Sequence, residues 1–259
     1  MKIHPTAIIS SKASIGKNVE IGPFTIIHDN VEIGDGSTVG SHCELGHPTA
    51  LAERDSLIIG RGSLIRSHSV FYQGSIFGPN LVTGHHVCVR ENTKAGNNLQ
   101  IGTLSDIQGS CEIGDYTRFH SYVNIGRLSK IGDFVWIFPF VALTNDPHPP
   151  SNYLVGCAIG SYTAVATMTV ILPGVTVGEH CLIAAHSLVK NDVNPGMVAA
   201  GSPATEICPA SKIKLRDGTG RPAYPWTTHF HRGYPEHVVS QWLDMAASEV
   251  PQNGRIGGG

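Results

Sequence analysis

Residues 111–132 read CEIGDYTRFHSYVNIGRLSKIG. An apolar residue stands at Ile113, Phe119, Ile125 and Ile131, always six positions on. Six is neither a helical period nor the alternation of a plain strand. It fits a short strand followed by a corner, with the apolar side chain turned into a narrow core. The same step runs outward in both directions. Upstream it passes through Ile59, Ile65, Phe71, Phe77, Thr83, Val89, Ala95, Ile101 and Ile107, and downstream through Ile137 and Leu143. An earlier run holds Ile3, Ile9, Ile15, Ile21, Ile27, Ile33, Val39 and Leu45, and a later one Ile159, Val165, Ile171, Val177, Ile183 and Val189. Small or β-branched residues such as Ala7, Ala13, Val19 and Thr25 fall four places after the apolar ones. No such unit buries its apolar residue alone, so the units must stack.

This pattern, [LIV]-G-x-x-[small]-x over residues 3–194, resembles the hexapeptide-repeat family. The resemblance implies an all-β fold, a left-handed parallel β-helix in which three hexads make a triangular coil of eighteen residues. About 29 hexads then give nine to ten coils, roughly 45 Å of prism at ~4.8 Å per coil. Sorting the residue after each apolar position by eighteen exposes the triangle. One corner reads Gly60, Gly78, Gly96, Gly114, Gly132. The other two read Arg66, Gly84, Gly102, His120, Phe138 and Tyr72, Arg90, Gln108, Gly126, Thr144. Polar and aromatic groups therefore collect on two corners and leave the third bare. The predicted β-helix covers residues 1–204, with loop insertions at about 46–58 and 144–158. A C-terminal extension, 205–259, carries one helix at about 235–248.

Composition narrows the function. The 259 residues carry a formal net charge of -2, and only 15% are charged. No basic stripe suits a nucleic-acid binder. The longest apolar run, FVWIFPFVAL, is too short to span a bilayer, and MKIHPTAIIS lacks the apolar core of a signal peptide. Six cysteines without CxxC spacing read as reduced thiols in a cytoplasmic protein.

Hexapeptide-repeat proteins are overwhelmingly acyl-CoA-dependent acyltransferases, usually homotrimers with active sites between subunits. By that resemblance acetyl-CoA lies along the C-terminal coils, on Ala166, Thr167, Ala184, Ala185, Lys190, Gly201 and Pro203. Small residues there also satisfy coil geometry without any ligand. Three stretches, VRENTKAG (89–96), FHSYVNIG (119–126) and LTNDPHPPS (143–151), resemble the N-acetyltransferases of nucleotide-linked, commonly dTDP-linked, 3-amino-3,6-dideoxyhexoses. Such enzymes serve O-antigen, S-layer or other surface glycans. The reaction needs an unprotonated amine beside the thioester, donors for the oxyanion and an acceptor for one proton.

His120, Asn145 and Asp146 are the expected catalytic residues. His120 replaces a corner glycine and has the pKa of a proton acceptor. Asn145 and Asp146 accept N–H bonds in a loop stiffened by prolines. A turn in which Asx and Pro do only backbone work is the plainer account. Arg90, Glu91, Tyr72 and Phe138 are the expected substrate contacts, with an outer-face ion pair as the alternative for Arg90 and Glu91. A UDP-linked amino sugar is the alternative substrate. O-acylation ranks behind both, although the opening IHPTAII resembles the lipid A acyltransferases. A γ-carbonic-anhydrase-like zinc site is disfavoured because Ile125 stands where a ligand would be needed, and no metal is expected. A non-catalytic solenoid is the remaining alternative.

Overall fold

A computed structural model describes the backbone of residues 1–248 and the side chains through residue 245. The chain divides into two compact units, Met1–Cys208 and Pro209–Gly259.

The first unit is a left-handed parallel β-helix. Two-residue strands such as Arg118–Phe119, Asn124–Ile125 and Lys130–Ile131 follow one another on three faces, here called A, B and C. Each face is one sheet, of 12, 10 and 9 strands respectively, in which the hexad strands pair in parallel. The register is the eighteen-residue coil: Phe119 lies over Ile137, Ile125 over Leu143 and Ile113 over Ile131. The last step shortens to 16, from Leu182 to Val198. Two insertions lengthen the coil: Leu64 pairs with Thr38, 26 positions away, and Lys130 with Ala158, 28 positions away. The loops predicted at 46–58 and 144–158 therefore add eight and ten residues to otherwise regular coils. Face A also extends beyond the hexads, because Met197–Gly201 pairs with Leu182–Ile183.

The apolar hexad positions form the core. Ile27, Leu45, Phe71, Val89, Ile107, Ile125, Leu143, Ile171 and Val189 are all buried on face B. Buried hydroxyls fill the corners beside them and donate to carbonyls of the next coil. Examples are Thr117 Oγ1 to Gly132 O at 2.8 Å and Ser105 Oγ to His120 O at 3.0 Å. The Thr117 and Ser105 hydroxyls thus repay their own burial and tie successive coils together.

The glycine corner lies between faces C and A, where successive coils approach too closely for a side chain. A Cβ on Gly60 would sit 2.4 Å from the carbonyl carbon of Gly78. The turns themselves hold non-glycine residues in the left-handed region. Between faces A and B, Phe24, His42, His68, His86, Leu104, Tyr122, Phe140, Met168 and His186 occupy this position with φ between 54 and 61°. Stacking offsets part of the strain, which runs at roughly 1–2 kcal/mol per residue. His42 stacks on His68 at 4.9 Å, His68 on His86 at 4.6 Å and Tyr122 on Phe140 at 4.8 Å. The result is an exposed ridge of aromatic and apolar side chains.

The second unit holds the helix Glu236–Ser248, entered through Pro235 with an acidic first turn that suits its N-terminus. Its small core is aromatic. Trp242 packs edge-on against Trp226 at 5.3 Å and Tyr234 at 4.8 Å.

Candidate functional site

Backbone hydrogen bonds place the predicted residues coil by coil. Along the corner between faces A and B, Gly102 N donates to Phe119 O, His120 N to Ile137 O, Phe138 N to Val165 O and Ala166 N to Ile183 O. His120, Phe138, Ala166 and Ala184 thus form one column, with Thr167 and Ala185 as the next residues of its last two corners. The column spans about 14 Å at ~4.8 Å per coil. A catalytic candidate, a substrate candidate and four cofactor candidates meet on a single edge.

His120 is half-buried and stacks face to face on Phe138 at 4.7 Å, with Trp136 at 5.8 Å. Burial pushes its pKa below the usual imidazole range, and the Arg118 guanidinium pushes the same way. Arg118 itself lies over the Trp136 ring at 4.9 Å. The imidazole is therefore neutral at neutral pH, as a proton acceptor must be. Above it the edge is smooth, because Ala166 and Ala184 carry only methyl groups.

The corner between faces B and C carries the second group, Tyr72, Arg90 and the start of the Asn-Asp loop. Three coil steps separate Arg90 from Thr144. Glu91 is fully buried, and Arg90 closes over it with Nε to Oε2 at 3.2 Å and Nη2 to Oε1 at 3.3 Å. Glu91 was expected as a substrate contact with an outer-face ion pair to Arg90 as the alternative; its carboxylate is buried and paired with Arg90. Arg90 keeps an exposed flank, 5.8 Å from the Tyr72 ring centroid.

Asn145 closes the base of its loop, its carbonyl accepting Val155 N at 2.9 Å. The Asp146 carboxylate is held inside the same loop. Oδ1 accepts Ser151 Oγ at 2.7 Å and His148 N at 3.0 Å, and Oδ2 accepts Ser151 N at 2.8 Å. The Ser151 hydroxyl is the main cause of a pKa below the usual carboxylate range. Asp146 is therefore ionised and orders the tip, with one lone-pair site of its four uncommitted by these bonds.

The other cofactor candidates lie elsewhere. Lys190 is exposed on the corner between faces B and C. Gly201 and Pro203 flank the turn after Met197–Gly201 and are exposed. A groove of about 940 Å³ runs along the glycine corner past Gly96, Gly114, Gly132, Gly160 and Gly178, and no predicted site residue lines it.

One cluster escaped the sequence reading. His28, Glu44 and His47 converge with ligand-type atoms all within 4.8 Å of one another. Counting by eighteen hides it, because the inserted loop breaks the count just after Glu44.

The repeat and the three-sheet prism find a match in known families. Residues 2–47 match the model of the bacterial transferase hexapeptide (six repeats). The fold is a left-handed parallel β-helix of hexapeptide repeats. The chain is 27% identical over 199 residues to the bifunctional protein GlmU of Mycolicibacterium smegmatis, an alignment covering 76% of the chain and 39% of that relative. It is 29% identical over 175 residues to the galactoside O-acetyltransferase of Escherichia coli, covering 62% of the chain and 70% of the relative. It spans only about two fifths of the length of the bifunctional relatives it matches. Among solved structures, the Arabidopsis UDP-N-acetylglucosamine acyltransferase shares the fold, with a TM-score of 0.57 at 17% identity over 98% of both chains.

Proposed function

We propose that this protein moves the acetyl group of acetyl-CoA onto the amine of a nucleotide-linked amino-deoxy sugar. The acceptor proposed is C3 of a dTDP-3-amino-3,6-dideoxyhexose destined for a surface glycan. The observation that carries this reading is the column His120–Phe138–Ala166–Ala184. It sets a neutral imidazole on an aromatic shelf, beside an edge smooth enough for a pantetheine arm to reach backbone amides. Relatives named as sugar acetyl- and acyltransferases support the reaction class.

In the proposed reaction the amine nitrogen attacks the thioester carbonyl, the C–S bond breaks and CoA leaves as thiolate. His120 accepts the amine proton; the thiolate is the competing acceptor. Asp146, on the other edge of face B, is assigned to stabilise the cationic nitrogen from a neighbouring copy across the subunit boundary, while Asn145 holds the loop base. The exposed ridge beside His120 suits burial against a second prism, which supports a homotrimer with its sites between subunits. Lys190 offers a cation for phosphates, and Arg90 only the flank that its pairing with Glu91 leaves exposed.

A second reading, O-acylation of a UDP-linked sugar, is favoured by the relatives named as UDP-N-acetylglucosamine O-acyltransferases. A thiol-release assay with acetyl-CoA over a panel of dTDP- and UDP-linked sugars, each with and without an amine, separates the two. Release confined to amino sugars supports N-acetylation, and release with hydroxyl-only sugars overturns it. His120→Asn with nearly unchanged kcat would assign the proton to the thiolate.

A further inference from the structure

We propose that His28, Glu44 and His47 form a binding site for a zinc-class divalent cation, set apart from the His120 column. Glu44 Oε1 accepts a hydrogen bond from His28 Nε2 at 2.8 Å and from His47 Nδ1 at 2.7 Å. Two imidazole nitrogens from different coils are thus aimed at one carboxylate oxygen. His28 follows the face-B strand of one coil, and His47 closes the strand of the next.

The backbone is built to bring His47 back over Glu44. Glu44–His47 pairs with Val70–Tyr72, and the register slips between Phe71 and Tyr72, so that Tyr72 meets His47. This bulge requires the positive φ of Gly46, 81°, and its missing side chain: a Cβ there would meet Val31 Cγ2 at 2.4 Å. Bulges of this kind re-aim a side chain at functional sites. The Tyr72 ring packs edge-on against His47 at 4.6 Å, and His47 O accepts Gln73 N at 3.1 Å. The imidazole is therefore held from behind while its Nδ1 faces the cluster.

The geometry fits the cation. Zinc bonds of ~2.0–2.2 Å to nitrogen and oxygen imply ligand–ligand edges of ~3.4 Å in a tetrahedron. The present nitrogen–oxygen pairs would open by about 0.6 Å, within reach of small side-chain rotations. Each imidazole gives up its N–H towards Glu44 by switching tautomer, so neutral histidines suffice and no net proton need leave. The three side chains are 29–38% exposed, leaving one flank open for water as a fourth ligand. Two imidazoles and one carboxylate suit zinc-class ions, whereas magnesium and calcium prefer oxygen ligands throughout.

The site lies five coil steps from Thr144, about 24 Å along the axis at ~4.8 Å per coil. Its occupation would lock the inserted loop to the prism. The test uses the full chain, stripped with chelator and dialysed against zinc alone, with metal content measured by mass spectrometry. One zinc per chain is expected in the parent and in His68→Gln, which alters the stacked surface histidines. Glu44→Gln and His47→Gln are each expected to weaken binding at least tenfold. Substoichiometric zinc in the parent, unchanged binding in both cluster variants, or loss on His68→Gln overturns the proposal. A measurement on the parent protein stands apart from any folding defect in the variants. Added cobalt should give the intense visible bands of a four-coordinate ion, and the weak spectrum of a six-coordinate ion would refute the site.

Discussion

Arg90 covers the fully buried Glu91 carboxylate with two hydrogen bonds, so Arg90→Ala is expected to damage the fold before it affects any substrate. Breaking a buried ion pair by removing one partner costs roughly 3–5 kcal/mol, because the remaining charge has no compensation. The Arg90 side chain is 40% exposed, and water entering from that flank screens the pair. The low end, about 3 kcal/mol, is therefore the working figure. In a protein of this size each kcal/mol moves the melting temperature by about 2–4 °C, so the variant should melt about 6–12 °C below the parent. Glu91→Gln in the same chain removes the orphaned charge and should recover most of that loss. Calorimetry of the parent, the single variant and the double variant checks all three values. A single variant melting within about 1 °C of the parent, a change of less than 1 kcal/mol, would refute the reasoning. Arg90 would then be free for a ligand rather than committed to Glu91.

The acid limb of kcat/KM should lie below the ordinary histidine value of ~6.5, and Arg118→Gln should move it upward by removing a like charge. Folding favours neutral His120, so its stabilising contribution is full above the unfolded-state pKa and is lost as pH falls through the folded one. Melting curves of His120→Asn should therefore depend less on pH across that window. Gly102→Ala would set a methyl 2.3 Å from the carbonyl carbon of His120, so the backbone carrying the imidazole must shift. A cost of about 1–3 kcal/mol in urea unfolding is expected, with a marked loss of kcat. Phe71→Ala, at a fully buried position, should cost about 3–5 kcal/mol in the same assay.

Much of the prism is legible in the residues. The step from Ile113 to Phe119 to Ile125 follows from one apolar side chain per strand, and counting by eighteen places His120 under Phe138 because parallel coils stack in register. Turn geometry was harder to read. His68 and Tyr122 hold left-handed backbone that glycine or asparagine would adopt more readily, and only the stack on the next coil makes the choice intelligible. Glu91 looked like a surface residue because sequence shows a corner but not which way its side chain turns. Asp146 looked free for the same reason, although Ser151 and His148 of its own loop claim most of its oxygens. The His28–Glu44–His47 cluster depends on a bulge at Gly46 and a register slip against Tyr72. Neither leaves a period to count.

The central claim is that the His120 column delivers an acetyl group to an amine. Its most direct test is the product itself. The protein is incubated with acetyl-CoA and a dTDP-3-amino-3,6-dideoxyhexose, and the sugar nucleotide is examined by mass spectrometry and NMR. A single acetyl group joined through an alkali-stable amide at the sugar nitrogen is the predicted result. An alkali-labile ester on a hydroxyl, or no acetylated product from any amino-sugar nucleotide, would contradict it.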